Sequence, residues 1–202
     1  MKTKSNGSPL IAKSNELQGD ARKLLASSGL LPLLRQFGYV EFVGSYRLGL
    51  MTCEDIDIHV SRNKPFTKAE ILKIQACIIA ETTFSSSGYY FSNWLSDWRN
   101  SGKNRNLPRG YYLGFTTTNH EPKWKIDIWF VSTAEQSRRR HERIDMRNVQ
   151  LTTAQKVMMM QCKLHLGQLG IKLWGQKVYE AVLLDGVTTI EGFKKWLKRQ
   201  KK

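Results

Sequence analysis

The sequence predicts an α+β fold, because its strand patterns are grouped in the middle of the chain and its helical patterns lie on either side. Strand-like alternation occurs at residues 39–43, 55–60, 110–117 and 124–131. Helical periodicity occurs at 15–37 and, after the strands, at 152–169, 172–185 and 189–200. We therefore expect an α+β domain with a C-terminal helical annex. The predicted division is a flexible leader at 1–14, a sheet-bearing domain at 15–135 and a helical region at 136–202.

The first helical segment is expected to consist of two helices. Its apolar side carries Leu24, Leu25, Leu31 and Leu34. The Ser27-Ser28-Gly29 stretch breaks the pattern, and Gly38 is a typical residue to follow a helix end. The strand that follows, Tyr39–Val43, runs directly into Gly44-Ser45.

Capping-box patterns, in which Ser or Thr is followed three residues later by Glu, predict three further helix starts. They lie at Thr67–Glu70, Ser132–Glu135 and Thr188–Glu191. The first opens a helix whose apolar residues are Ile71, Ile74, Ile78 and Ile79. Residues 85–109 are rich in Ser, Asn, Gly and aromatic residues, and we expect a strand followed by a loop or short helix there.

The net charge of +15, from 32 basic and 17 acidic residues, favours anionic partners such as nucleotides, nucleic acid or a membrane surface. Two basic clusters contribute to it: Arg138-Arg139-Arg140 with Arg143, and the stretch from Lys194 to Lys202. A solvated helix face or a frayed end is the simpler interpretation of the terminal cluster.

The sequence has the features of a cytoplasmic protein. It contains no apolar run of about 18 residues, which a membrane-spanning helix needs, and no secretory apolar core near its start. Cys53, Cys77 and Cys162 are odd in number and widely spaced. We expect them to be reduced thiols that pack as small apolar side chains.

Two strand segments combine an apolar face with an acidic one. In the first, Asp55, Asp57 and His59 share one face and Ile56, Ile58 and Val60 share the other. In the second, Lys125, Asp127 and Trp129 lie opposite Ile126, Ile128 and Phe130. If the two strands are neighbours in one sheet, three carboxylates converge. Hard divalent cations would compensate them, and such ions can clamp an in-line displacement at phosphorus.

Nine residues separate the Gly44-Ser45 pair from Asp55. Glycine lets the backbone approach a ligand closely. The N–H groups of a turn or helix start that follows it can hold phosphate oxygens.

Together these residues resemble the DNA polymerase beta-like nucleotidyltransferase superfamily. Its motif is an apolar residue, Gly, then Gly or Ser, an interval, an acid-apolar-acid triplet and a later acid on a strand. Val43-Gly44-Ser45, Asp55-Ile56-Asp57 and Asp127 match it, over about residues 39–131. The small size and helical tail are similar to antibiotic nucleotidyltransferases such as the lincosamide type.

The resemblance implies a nucleotidyltransferase fold, with a mixed sheet flanked by helices, and two Mg²⁺ ions. Asp55, Asp57 and Asp127 would be the metal ligands and catalytic residues, and Asp127 would help to deprotonate the acceptor. Gly44 and Ser45 would hold the β- and γ-phosphates of a nucleoside triphosphate such as ATP. Arg47 and Lys125 are further candidate phosphate contacts.

The sequence does not determine which molecule accepts the nucleoside monophosphate. A small molecule, such as an antibiotic, is the first prediction, because 202 residues leave little room for an RNA-binding arm. RNA or a protein side chain is the alternative, and the charge favours RNA. A second class is a non-catalytic protein of this fold that binds nucleic acid or neutralises a partner, as an antitoxin does. No membrane partner is expected.

Three other predictions concern single side chains. We expect His59 to be a polar residue at the rim of the sheet. Trp129 is the best candidate for stacking on a base, because it shares the face of Asp127. Lys156 and Lys163 could reach a triphosphate, but a solvated helix face is the simpler expectation.

Overall fold

The computed structural model describes residues 8–82, 96–97, 108–117, 121–140, 149–173 and 175–200. Within these ranges the helices are α1 (Pro9–Ser27), α2 (Leu30–Arg35), α3 (Gly44–Leu48), α4 (Lys68–Glu81), α5 (Thr133–Arg140), α6 (Thr153–Gln168), α7 (Gly175–Leu183) and α8 (Ile190–Gln200). The strands are β1 (Tyr39–Val43), β2 (Asp55–Arg62), β3 (Ser96–Asp97), β4 (Gly110–Thr116) and β5 (Lys125–Ser132).

The strands form one mixed sheet in the order β1-β2-β5-β4-β3. The central pair, β2 and β5, is parallel, and the other pairs are antiparallel. One face of the central pair is apolar and buried as far as Arg62 and Ser132, where the two strands end: Ile56, Ile58, Val60, Ile126, Ile128 and Phe130. The predicted α+β class, with helices on the sheet and a C-terminal helical annex, is confirmed.

The apolar residues form two main cores. The first lies between the apolar sheet face and helices α1, α2 and α4. The second is formed by α6, α7 and α8 and includes Leu50 from the loop before β2. Helix α1 contributes to both, with Leu17 and Leu24 in the first core and Leu10 and Ile11 against the second.

Helix α1 also fixes the segment that leads from β1 to β2. The buried hydroxyl of Ser14 accepts a hydrogen bond from the Met51 N–H at 3.0 Å, and the Gln18 amide donates to the Tyr46 carbonyl. Ser14 and Gln18 lie one turn apart on the same face of α1. Helix α1 therefore holds both α3, at Tyr46, and the loop that follows it, at Met51.

The helix starts differ in part from the predictions. Helix α1 begins at Pro9, so the prediction of a flexible leader up to residue 14 is wrong for residues 9–14. The predicted break between the first two helices is confirmed, with Gly29 at φ 74°. The capping box at Thr67–Glu70 is confirmed, whereas Ile79 of the same helix is exposed rather than in the core.

The starts of α5 and α8 are not capped by the complete capping boxes that the sequence predicts. At the start of α5, the Ser132 hydroxyl accepts from the Glu135 N–H, but the Glu135 carboxylate accepts from the Arg109 N–H and the Arg138 guanidinium. The cap of α8 is one residue later than predicted: the Thr189 hydroxyl accepts from the Gly192 N–H, and Glu191 pairs with Lys194.

Further expectations concern the cysteines and residues 85–109. All three cysteines are free thiols; Cys162 is buried in the second core, but Cys53 is exposed, so not all of them pack as apolar side chains. The prediction for residues 85–109 lies mostly outside the described residues, apart from β3 and residues 108–109. Among the described helices, none has the length and apolar character needed to cross a membrane.

We predict that Thr152→Ala destabilises the protein by about 1 kcal/mol, because it removes a complete capping box from α6. The Thr152 hydroxyl accepts from the Gln155 N–H, and the Gln155 side chain accepts from the Thr152 N–H. Urea denaturation measures the change. Thr153→Ala, one residue later in the same exposed turn, is the control and should leave the stability nearly unchanged; equal losses in the two variants would contradict the capping account.

Candidate active site

The parallel pairing of β2 and β5 brings the predicted acids together. In its register, Asp57 lies beside Asp127 and Asp55 beside Lys125. Residues paired in this way point to the same face, and neighbouring strands are only about 4.8 Å apart. Since the opposite face of both strands is buried in the first core, Asp55, Asp57 and Asp127 converge on the other one.

Lys125 lies between the carboxylates. Its Nζ is 2.6 Å from Asp127 Oδ2 and 3.4 Å from Asp55 Oδ1. Acidic neighbours raise the pKa of Lys125, against the opposing effect of burial. The ammonium therefore compensates part of the negative charge of this group, which we call the acid cluster: Asp55, Asp57 and Asp127.

Asp57 is the member of the acid cluster whose charge is least well compensated. Burial, followed by the charges of Asp55 and Asp127, raises its pKa to about 7. Burial also raises the pKa of Asp55, although Lys125 opposes this shift. Near neutral pH the cluster therefore carries more negative charge than its surroundings favour, which is typical of a site that binds a cation.

Gly44 contacts this cluster directly. It has φ 62°, a conformation that favours glycine, and a Cβ at this position would collide with the Asp57 carboxylate. Ser45, the next residue, is buried in the first turn of α3. The predicted Gly-Ser turn is thus in place beside the second acid of the triplet.

Tyr112 is a site residue that the sequence reasoning missed. Its hydroxyl donates a hydrogen bond of 2.8 Å to Asp127 Oδ1. To reach Asp127, the side chain of Tyr112 crosses Gly114, the residue paired with Asp127 on β4, where a Cβ would collide with the Tyr112 hydroxyl. The signal in the sequence is the Tyr-x-Gly spacing on a strand, which has meaning only once the register of β4 and β5 is known.

The helical annex adds a lysine and a tyrosine. Lys163 of α6 donates to the Leu50 carbonyl at 3.2 Å, and the charges of Asp55 and Asp57 partly oppose the fall in its pKa that burial causes. Burial raises the pKa of Tyr179 on α7, and Asp57 adds to this shift. The expectation that Lys163 lies on a solvated face is therefore wrong. Lys156, two turns earlier, lies close to Gly49 at the end of α3.

Arg47 is not placed in the acid cluster. Its Nη1 is 3.7 Å from Glu41 Oε1, and it lines a cavity of about 330 Å³ together with Arg22 and Tyr46. This position gives no support to Arg47 as a phosphate contact. In the basic cluster that follows β5, Arg138 forms an ion pair with Glu135, and Arg143 lies outside the described residues.

His59 and Trp129 are buried side by side on the acid face. Each is 9% exposed, and they are paired across β2 and β5. The prediction that His59 is at the rim of the sheet is therefore wrong. The Trp129 ring packs against Tyr112 with 5.0 Å between ring centroids, so a base has little open ring surface on which to stack.

The donor set fits a hard divalent cation, although the side chains do not enclose one as they stand. Among the described residues, no three His, Cys, Asp or Glu side chains are arranged to hold a metal ion. At the acid cluster, the Lys125 ammonium lies against two of the three carboxylates. Three carboxylates on one sheet face are the oxygen ligands that Mg²⁺ prefers, and burial together with the charges of Asp55 and Asp127 raises the pKa of Asp57, so that a nearby cation would favour its ionised form.

The comparisons with known proteins identify a structural likeness only. No protein-family model matches the chain, and no curated protein sequence is significantly similar to it. Among solved structures, the chain is similar to Cid1 poly(U) polymerase with Mg and 3′-dATP bound, at 15% sequence identity and a TM-score of 0.47. The match covers 86% of this chain and 54% of the polymerase, so the chain spans about half its length. A likeness of this degree assigns no activity, and it does not support the lincosamide-type resemblance.

We predict that Asp57→Asn stabilises the metal-free protein above pH 7 but not near pH 4. The pKa of Asp57 is about 7 in the folded protein and about 3.9 in an unfolded chain, so the folded state binds the extra proton between these values. The contribution of Asp57 to stability is therefore present below about pH 4 and is lost as the pH rises to 7. Thermal unfolding from pH 4 to 8 measures this. Asp20→Asn, at an exposed acid of α1, is the control; parallel pH curves for wild type and Asp57→Asn would contradict the assignment.

We predict that Gly44→Ala destabilises the protein by about 1–3 kcal/mol, because alanine is strained at this φ and its Cβ meets the Asp57 carboxylate. Gly19→Ala is the matched control. Gly19 is inside α1 with open space around its Cα, so alanine there should stabilise the helix by up to about 1 kcal/mol. Denaturant titration gives both values, and an unchanged stability of Gly44→Ala would show that the turn is not under this constraint.

Proposed function

We propose that this protein is a Mg²⁺-dependent nucleotidyltransferase, which moves a nucleoside monophosphate from a nucleoside triphosphate to a hydroxyl group and releases pyrophosphate. The proposal is based mainly on one observation: Asp57 is paired in register with Asp127, and the turn at Gly44 contacts Asp57. The Gly-Ser and acid-apolar-acid motif predicts this arrangement, and the fold supplies the strand and turn context that such a motif needs.

In this proposal Asp55, Asp57 and Asp127 hold the divalent cation. When bound, Mg²⁺ supplies positive charge to the phosphate oxygens and to the oxygen that attacks phosphorus. Two ions are the number that the family resemblance implies. The carboxylates also bring the reactants together, which alone can account for a large part of the rate enhancement.

Asp127 is the residue we assign to the acceptor hydroxyl. Its Oδ1 accepts from Tyr112, which fixes the orientation of the carboxylate. The bond from the acceptor oxygen to the α-phosphorus forms, the bond from that phosphorus to the bridging oxygen of pyrophosphate breaks, and the acceptor proton passes to Asp127 or through it to water. Tyr112 acts as a positioning residue, since it contacts Asp127 and not the reacting atoms.

The phosphates are assigned to the opposite side of the acid cluster. Gly44 and Ser45 begin α3, where backbone N–H groups are not used within the helix. Lys163 lies close enough to Asp55 and Asp57 for their charges to affect its pKa, and its ammonium is a suitable partner for a triphosphate that binds beside them. Lys156, beside Gly49, is a second candidate on the same side of α6.

The acceptor has two candidates. A small hydroxyl compound is the first, as the sequence analysis predicts. RNA is the second, and the specific observation in its favour is positive charge: the chain carries +15, and α8 presents Lys195, Lys198 and Arg199 on an exposed surface. Binding to RNA through such residues would weaken steeply as salt increases.

We predict that the purified protein transfers label from an α-³²P nucleoside triphosphate when Mg²⁺ is present. Each of the four triphosphates is incubated with a cell extract that has been separated into small-molecule, RNA and protein fractions. The fraction that gains label identifies the acceptor class. Asp127→Asn should reduce transfer by about a hundredfold or more, because the proposed metal ligand and proton acceptor is lost.

Asp20→Asn is the matched control for this experiment, since Asp20 is an exposed acid on α1 that forms an ion pair with Lys23. It should retain full transfer. Absence of label from all three fractions, together with absence of Mg²⁺–nucleotide binding to the folded protein, would overturn the proposal. Salt-dependent RNA binding without transfer would favour the non-catalytic class.

A further inference from the structure

The side chain of Lys125 is placed where a metal ion would have to bind. Its Nζ lies 2.6 Å from Asp127 Oδ2 and 3.4 Å from Asp55 Oδ1, so it bridges one acid on each of the two central strands. These oxygens belong to the residues assigned above as metal ligands. A divalent cation and an ammonium compete for these oxygens, because two cations held at short range by the same carboxylates repel each other.

The side chain can leave this position without disturbing the sheet. Lys125 is the first residue of β5, and its side chain is 51% exposed, whereas that of Asp127 is 13% exposed. A lysine carries its charge on a flexible four-carbon chain, so the ammonium can move into solvent while the backbone pairing with Asp55 is kept. When a nucleotide binds, its phosphate oxygens give the Lys125 ammonium a new partner, which is negatively charged like the carboxylates that the ammonium leaves.

We propose that Lys125 is an internal counter-ion of the acid cluster, which blocks the site against free divalent cations and is displaced when metal and nucleotide bind together. This inference rests on the proposed function and adds to it a coupling between metal binding and nucleotide binding. In the absence of nucleotide the ammonium competes with the metal. When the triphosphate is present, the ammonium moves to the phosphates and the competition ends, so metal and nucleotide strengthen each other's binding. By linkage, the gain is the same for both ligands.

The test measures binding of Mn²⁺, as the metal probe, to the full chain by calorimetry and by electron paramagnetic resonance. Lys125→Met removes the competing charge and should tighten Mn²⁺ binding in the absence of nucleotide by about tenfold or more. Lys125→Arg is the opposite change, because a guanidinium pairs with carboxylates in a bidentate way, and it should weaken Mn²⁺ binding. Lys123→Met is the control, since Lys123 is exposed two residues before Lys125.

A second measurement adds a nucleoside triphosphate analogue with a non-hydrolysable link between the α- and β-phosphates. In the wild type this analogue should increase the affinity for Mn²⁺ more than it does in Lys125→Met, where there is no ammonium to displace. Thermal unfolding of the metal-free proteins should show Lys125→Met to be less stable than the wild type, because the carboxylates lose their counter-ion. If that variant does not fold, the comparison of Lys125→Arg with the wild type still decides the direction of the effect.

The outcomes separate this inference from the proposed function. Suppose that the wild type binds Mn²⁺ and nucleotide. The role of Lys125 would then be overturned if Mn²⁺ binding were unchanged or weaker in Lys125→Met, or unchanged or tighter in Lys125→Arg. Either result would leave the nucleotidyltransferase proposal standing. Absence of Mn²⁺ binding from every variant, with and without the analogue, would overturn both.

Discussion

Two neighbouring parallel strands carry three carboxylates on one face, and the rest of the site compensates for the repulsion that this creates. The arrangement cannot relax by a shift of the strands. A slip of one residue would turn Ile56, Ile58 and Ile126 out of the first core and move the acids into it. The apolar face of β2 and β5 therefore keeps the acids together, and the burial of hydrophobic side chains provides the free energy that holds like charges close.

The groups around the acid cluster each reduce this repulsion in a different way. Lys125 supplies an opposite charge, and Tyr112 donates a hydrogen bond to Asp127. Lys163 adds a second positive charge from the annex, but it is partly buried and its pKa is lowered by burial. Compensation remains incomplete at Asp57, whose pKa stays raised to about 7. A divalent cation would complete it, which connects the electrostatics of the site to the proposed chemistry.

The sequence alone was sufficient to predict the strands that carry the acids, because period-two alternation of isoleucine with aspartate occurs in both and matches the observed burial. It was also sufficient for the Gly44 turn. Residues that reach the site from other elements were not predicted: Tyr112 depends on the register of β4, and Lys163 depends on how α6 packs beside Leu50. The sequence indicates that Trp129 shares the face of Asp127 and is a candidate for stacking on a base, but the Tyr112 ring that packs against it can be identified only from the sheet order. Local pattern therefore determines the elements and their faces, and tertiary packing determines which further side chains meet.

The most direct test of the central claim is anomalous diffraction from crystals of the protein soaked with Mn²⁺ and a non-hydrolysable triphosphate analogue. We expect an anomalous peak between the carboxylates of Asp55, Asp57 and Asp127, with the triphosphate beside Gly44 and Ser45. The central claim would be contradicted by a nucleotide that binds elsewhere, or by crystals saturated with Mn²⁺ in which no peak lies at the three carboxylates.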